Sequence, residues 1–277
     1  MYRGLQIAVV VPAYDEQRLV ATTITSIPPW VDRLLVVDDG STDETAVRAA
    51  QAGADRPGFE LLRHPANRGV GAAIATGCCR ALELSVDAVV VVGADAQMAP
   101  QDMGPLLDPL VEGRADYAKG NRLGWPGVFR TMPLIRWLGN WGLTLLTRPV
   151  SGYWRITDSQ CGYTAISRAA LLLVPWSRLY PRYGYPNDLL AWLNSLQQRV
   201  VDVPVRPIYA GEKSGIRVVR IILPLLGLLL RILLRRLRHR PGAVVPATGP
   251  AADAPPGSAA PAPEQRLPEL QALRDPG

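Results

Sequence analysis

Ile7-Ala-Val-Val-Val-Pro-Ala-Tyr-Asp-Glu16 joins an uninterrupted aliphatic run to a pair of carboxylates. Two later stretches are built the same way: Leu34-Leu-Val-Val-Asp-Asp-Gly-Ser-Thr-Asp43 and Val89-Val-Val-Val-Gly-Ala-Asp-Ala-Gln97. Aliphatic runs without polar alternation suit strands covered on both faces, which is what a parallel sheet requires. A further strand is predicted over 60–63, and helical patterns run over 18–26, 42–52, 70–84 and 100–112. Ser41-Thr42 is placed to cap the second of these helices, and Pro100 suits a first helical position. This βαβα rhythm predicts a doubly wound, mostly parallel α/β sheet with right-handed crossovers. Ligands of such sheets sit beyond the carboxyl ends of the strands. Acid gathered there suits a cation, ligand hydroxyls or base N–H groups better than a bare anion.

Composition narrows the classes. The 277 residues are 48% hydrophobic, enough for a sizeable core. Cys78, Cys79 and Cys161 form neither a disulfide framework nor a spaced zinc set, so buried, inert thiols are expected. His64 and His239 are too far apart for a histidine-based metal site or triad. With a strand beginning at Ile7, no cleaved leader is expected, and a reducing cytoplasm fits both features. The net charge of +6 is local in origin. Nine Lys/Arg against Glu212 alone give residues 206–240 a charge of +8, which leaves −2 elsewhere. One segment meeting one anionic surface accounts for this, and a nucleic-acid-binding globule does not.

That segment is amphipathic. At about 100° per residue, Arg217, Arg220, Arg231, Arg235 and Arg238 share a stripe about 60° wide. The uncharged run over 221–230 is half of what a bilayer span needs. A helix over 217–240 lying in the membrane interface, its arginines reaching anionic lipid phosphates, is the expectation. Residues 121–210 are less regular and rich in Trp, 1–216 are expected to form one catalytic domain with a nucleotide-binding part over 1–120 and an acceptor part over 121–216, and 241–277 read as a disordered Ala/Pro-rich tail. No internal repeat is found.

Individual residues suggest chemistry. A dinucleotide fold needs glycines in its first turn, and Pro12-Ala-Tyr-Asp-Glu16 has none, although Asp38 stands where a ribose ligand would. Tyr14 suits stacking on a base, and Glu16 or Asp39 suits accepting from base N–H or ribose hydroxyls. Asp95 and Gln97, read as alternating in an extended segment, point to one side and suit a hard cation with oxygen ligands. Lys119 and Arg122, expected just beyond the next strand, are phosphate donors.

The ordered set Val9-Val-Val-Pro-Ala-Tyr-Asp-Glu16, Val36-Val-Asp-Asp-Gly-Ser-Thr-Asp43, Asn67-Arg-Gly-Val-Gly71, Asp95-Ala-Gln97, Lys119-Gly-Asn-Arg122 and Asp158-Ser-Gln-Cys-Gly162 resembles glycosyltransferase family 2. Over about residues 5–216 it is most similar to the polyprenyl-phosphate (dolichyl-phosphate) mannosyltransferase and glucosyltransferase branch. The resemblance implies a nucleotide-sugar-binding type A fold and inverting transfer of a hexose from a GDP- or UDP-sugar to polyprenyl phosphate. It implies Mg²⁺ or Mn²⁺ at Asp95 and Gln97, and nucleotide contacts from Pro12, Tyr14, Glu16, Asp38, Asp39 and Arg68. It also implies lipid-phosphate contacts from Lys119, Arg122 and Arg136, and catalytic roles for Asp95, Arg122, Arg136 and Asp158. Asp158 is open between orienting the arginines or a sugar hydroxyl and a turn role, and Asp188 is a weaker match. The family's Asp-x-Asp-x-Gln carries Gly93 in its first position here, and its Gly-Glu-Ser-Lys element is reordered as Gly211-Glu-Lys-Ser-Gly215. A peripheral or monotopic enzyme at the cytoplasmic membrane face is expected. The alternatives are transfer to a glycan or lipid-linked hydroxyl, which would need Asp158 or Asp188 as base, and a non-catalytic nucleotide-sugar-binding protein.

Overall fold

The computed structural model describes residues 1–128, 132, 134–208 and 218–238. The three aliphatic runs become β1 (Ile7–Ala13), β2 (Arg33–Asp38) and β4 (Ala88–Val91), with β3 at Phe59–Arg63. Among the described residues they belong to one seven-stranded sheet of order β3-β2-β1-β4-β6-β5-β7, where β5 is Tyr117–Asn121, β6 Thr164–Ser167 and β7 Val200–Pro204. The sheet is mostly parallel, as predicted. β6 alone runs antiparallel, to both β4 and β5.

Side chains of β1 divide between two cores. Ala8 and Val10 pack with α3 (Val70–Glu83) on one face. Ile7, Val9 and Val11 pack on the other with α1 (Val20–Ser26) and α4 (Met103–Val111). All five are fully buried, which is why the run carries no polar alternation. Cys78, Cys79 and Cys161 are buried free thiols whose pKa values burial raises.

Two local expectations change. The second helix, α2 (Thr45–Gly53), starts after Ser41-Thr42, and the side chain that accepts from its first N–H is Asp43, at 2.9 Å from Thr45 N. Ser41 and Thr42 instead tie to the loop after β1. Pro100 does open a 3₁₀ turn, Pro100–Asp102, that leads into α4.

The C-terminal half adds α5 (Leu134–Ser151), α6 (Arg168–Leu173), α7 (Tyr185–Ser195) and α8 (Val218–Arg238). α8 docks against α5 and α7 by burying Leu225, Leu228, Leu229 and Ile232 beside Val150 and Ala191. The arginine stripe does not face wholly outward. Arg235 donates to the buried Asp188 at 2.8 Å and lies 4.1 Å over the Trp192 ring, and Arg236 donates to the Pro149 carbonyl. Arg231 is exposed, as are Leu226, Leu230 and Leu234. No described helix is long and apolar enough to cross a membrane. Residues 241–277 and the 211–215 element lie outside the described residues.

Candidate active site

Strand order reverses between β1 and β4, the switch point where a doubly wound sheet opens a crevice. Pro12, near the end of β1, and Tyr14, just past it, stand on one side, and Gly93 and Asp95, past β4, on the other. A cavity of about 460 Å³ lies here, with Glu16, Asp39, Asn67 and Tyr183 also in its wall. A second of about 200 Å³ adjoins it and holds Asp95, Gln97, Arg122, Gln160 and Arg206. Asp95 and Tyr183 belong to both walls, so the two are lobes of one cleft.

The larger lobe is shaped by loops bonded across the sheet. Asp15 N donates to Ser41 Oγ at 3.0 Å, and Thr42 N returns a bond to Asp15 Oδ1 at 2.9 Å. Glu16 N donates to Thr45 Oγ1 at 2.7 Å. Burial would raise the Asp43 pKa, but bonds from Thr45 and Gln17 hold it below the ordinary range. Asp15 and Asp43 are thereby spent on fixing the loops. Tyr14 stands on the rim, 43% exposed, with its pKa raised chiefly by the charge of Asp15.

The paired carboxylates of β2 take different jobs. Asp38 is fully buried, accepts from Ser41 N and pairs with Arg63 at 3.1 Å. It braces the turn and is not among the residues of the cleft wall. Asp39 does face the cleft. Its Oδ1 accepts from His64 Nδ1 at 2.6 Å and Arg68 N at 3.0 Å, and its Oδ2 from Gly69 N at 2.7 Å. Arg68 thus enters the site through its backbone, and its side chain lies outside the cleft wall. Gly69 sits at φ +102°, where a Cβ would approach the Pro181 carbonyl to 2.5 Å. The glycines of Asn67-Arg-Gly-Val-Gly71 therefore admit the 180–183 backbone, which brings Arg182 and Tyr183 over the cleft.

The segment after β4 is not extended. Ala96 has φ +53°, and Gln97 N donates to Asp95 Oδ1 at 3.1 Å, so the two side chains share a lobe through a tight turn. Thr23 anchors that turn from α1, accepting from Ala96 N and donating to the Ala94 carbonyl.

Arg122 is held by one carboxylate. Asp158 Oδ2 accepts from Arg122 N and Nε at 3.1 and 2.8 Å; its Oδ1 accepts from Arg122 Nη2 at 3.0 Å and Gln160 N at 3.3 Å. Burial alone would raise the Asp158 pKa, but the Arg122 charge and bonds outweigh it and hold the carboxyl below its usual range. All four lone-pair positions of Asp158 are used, and it is completely buried.

Lys119 departs from expectation. It lies within β5 rather than beyond it, is fully buried and donates to the Cys161 carbonyl at 2.6 Å. Burial lowers its pKa. Arg136 lies in the first turn of α5, and its side chain is outside the described residues. Asp188 is buried and accepts from Tyr180 N and Arg235, away from the cleft. Sequence reasoning passed over Arg206, whose guanidinium stands 5.2 Å over the Trp125 ring in the smaller lobe, and His64, behind Asp39. Neither carries a local motif.

The family model for glycosyl transferase family 2 matches residues 8–172. The chain belongs to that family. It is 30% identical over 216 residues to a UDP-N-acetylglucosamine–dolichyl-phosphate N-acetylglucosaminyltransferase of Methanococcus voltae, covering 73% of this chain and 86% of the relative. It is 27% identical over 204 residues to an undecaprenyl-phosphate mannosyltransferase of Micrococcus luteus, covering 73% and 83%. Among solved structures, glucosyl-3-phosphoglycerate synthase from Mycobacterium tuberculosis in complex with Mn²⁺, UDP and glucosyl-3-phosphoglycerate superposes with a TM-score of 0.56 at 26% identity, covering 84% of this chain and 79% of that one.

Proposed function

We propose that this family 2 glycosyltransferase moves a sugar from a nucleotide diphosphate sugar to polyprenyl phosphate, with inversion, at the cytoplasmic membrane face. One observation carries the reading: the lobe beside Asp95 presents Arg122, clamped by Asp158, and Arg206, while both candidate bases are spent elsewhere. A neutral hydroxyl acceptor needs a base, and neither Asp158 nor Asp188 is free to serve. An acceptor phosphate is already anionic at neutral pH and needs only cations to aim it. The names of the archaeal and bacterial relatives support the same acceptor class.

On this reading Pro12, Tyr14, Glu16 and Asp39 receive the nucleoside, and Arg122, Arg206 and Arg136 the lipid phosphate. Asp95 and Gln97 would hold Mg²⁺ or Mn²⁺. Among the described residues no cluster of three His, Cys, Asp or Glu side chains forms a metal cage. One carboxylate and one amide oxygen on a single turn fit a hard cation that keeps waters and shares its shell with substrate phosphates. When bound, such an ion supplies positive charge to the departing diphosphate. Arg122 and Arg206 orient the attacking phosphate oxygen, and Tyr183, shared by both lobes, stands where donor and acceptor meet.

Membrane contact is supported by Leu138, Trp141 and Leu145 of α5 and Leu226, Leu230 and Leu234 of α8, all at least 40% exposed. Helices bearing such faces lie in a bilayer interface, where the polyprenyl tail also resides. The acceptor class is tested by offering a labelled nucleotide sugar with polyprenyl phosphate or the corresponding polyprenol. Product from the phosphate alone is expected, and product from the alcohol would overturn the reading.

A further inference from the structure

His64 lies outside the motifs, yet it is 7% exposed and bonded at both ring nitrogens. Nδ1 stands 2.6 Å from Asp39 Oδ1, and Nε2 stands 2.9 Å from Thr76 Oγ1 of α3. A carboxylate only accepts, so Nδ1 carries the proton and Nε2 receives the threonine hydroxyl. The chain Thr76–His64–Asp39 therefore runs from helix to cleft floor and fixes the carboxylate's rotation.

The consequence is a count of lone pairs. Asp39 Oδ1 is filled by His64 and Arg68 N, and Oδ2 holds one bond, from Gly69 N. Each carboxylate oxygen offers about two acceptor sites. Asp39 thus brings one open acceptor site to the larger lobe, on Oδ2. Uracil presents a single ring N–H between two carbonyls. Guanine presents a ring N–H and an amino group side by side, a pair that asks for both oxygens of a carboxylate. Held in this rotation Asp39 satisfies the first pattern and leaves one donor of the second unmatched in a desolvated site. Asn67, whose Oδ1 accepts from Arg182 at 3.5 Å, keeps an amide N–H₂ in the same wall for a base carbonyl.

We infer that Asp39 selects a uridine over a guanosine nucleotide, and that His64 is the positioning residue that restricts it to one acceptor site. This rests on the nucleotide-sugar reading above and narrows it to the base.

The test is calorimetric titration of the full-length protein with free UDP and free GDP, in the presence of Mg²⁺. The wild-type protein should bind UDP about tenfold or more tightly than GDP. His64→Asn keeps a donor at the Nδ1 position and should preserve that ratio. His64→Leu removes the donor, opens Oδ1 and should bring the ratio to within about threefold. A merely structural role for His64 would weaken both nucleotides equally and leave the ratio unchanged, which contradicts its positioning role. GDP bound as tightly as UDP by the wild-type protein overturns the base assignment while leaving the transferase reading in place, and needs no variant to fold. Binding of neither nucleotide overturns both.

Discussion

Arg122 and Asp158 form the pair on which the proposed chemistry leans, and the pair is buried enough to be read in stability. Asp158 is fully buried and the Arg122 side chain 19% exposed. Removing one partner strands the other, at about 3–5 kcal/mol. Asp158→Asn should therefore lower the denaturation midpoint strongly and slow transfer by freeing the guanidinium. The carboxyl's pKa is depressed in the folded state, so its contribution is complete above the unfolded value of about 3.9 and is lost as pH falls through the folded one. Wild type and variant should differ fully at neutral pH and converge below about pH 4; a constant difference across that range would contradict the ion pair. Gly93 supplies a second test at this scale. A Cβ there would stand 3.1 Å from Asp95 Oδ1, so Gly93→Asp sets a second carboxylate beside the first. Mn²⁺ affinity, followed by electron paramagnetic resonance, should rise. No change would count against a cation at Asp95 and Gln97.

At the scale of elements, legibility follows burial pattern. β1, β2 and β4 could be read because strands covered on both faces must be aliphatic throughout. β5 could not be read to its ends. Tyr117-Ala-Lys-Gly-Asn121 carries a lysine whose partner, the Cys161 carbonyl, is 42 residues away, so nothing local distinguishes it from a surface loop. The turn at 93–97 hides for a similar reason: its left-handed residue is an alanine, held by Thr23 from another helix. α8 was legible as amphipathic, but which face docks depends on Asp188 and Trp192, which the helix's own sequence does not reveal. Its two apolar faces predict different outcomes. Leu229→Ala on the buried face should cost about 2–5 kcal/mol by chemical denaturation. Replacing Leu226, Leu230 and Leu234 together with Ser should leave the midpoint nearly unchanged and lower sedimentation with anionic vesicles. Undiminished vesicle binding would exclude this face as the membrane contact.

Across the whole molecule, the sheet places Glu16 and Asp39 past the ends of β1 and β2, the turn with Asp95 past β4, and Arg122 just past β5. The 180–183 segment and the 205–208 segment close the cleft from the far half of the chain, which is why Tyr183 and Arg206 enter the site without a motif of their own. The resulting arrangement sets a lobe walled by Glu16 and Asp39 against one that holds Arg122 and Arg206, beside two helices that expose leucine and tryptophan. The most direct measurement is product analysis after incubating the purified protein with undecaprenyl phosphate, Mg²⁺ or Mn²⁺ and a panel of nucleotide sugars. A lipid-linked monosaccharide formed from one of the donors, and greatly reduced in Arg122→Ala, is the predicted result. No lipid product from any donor would contradict the account.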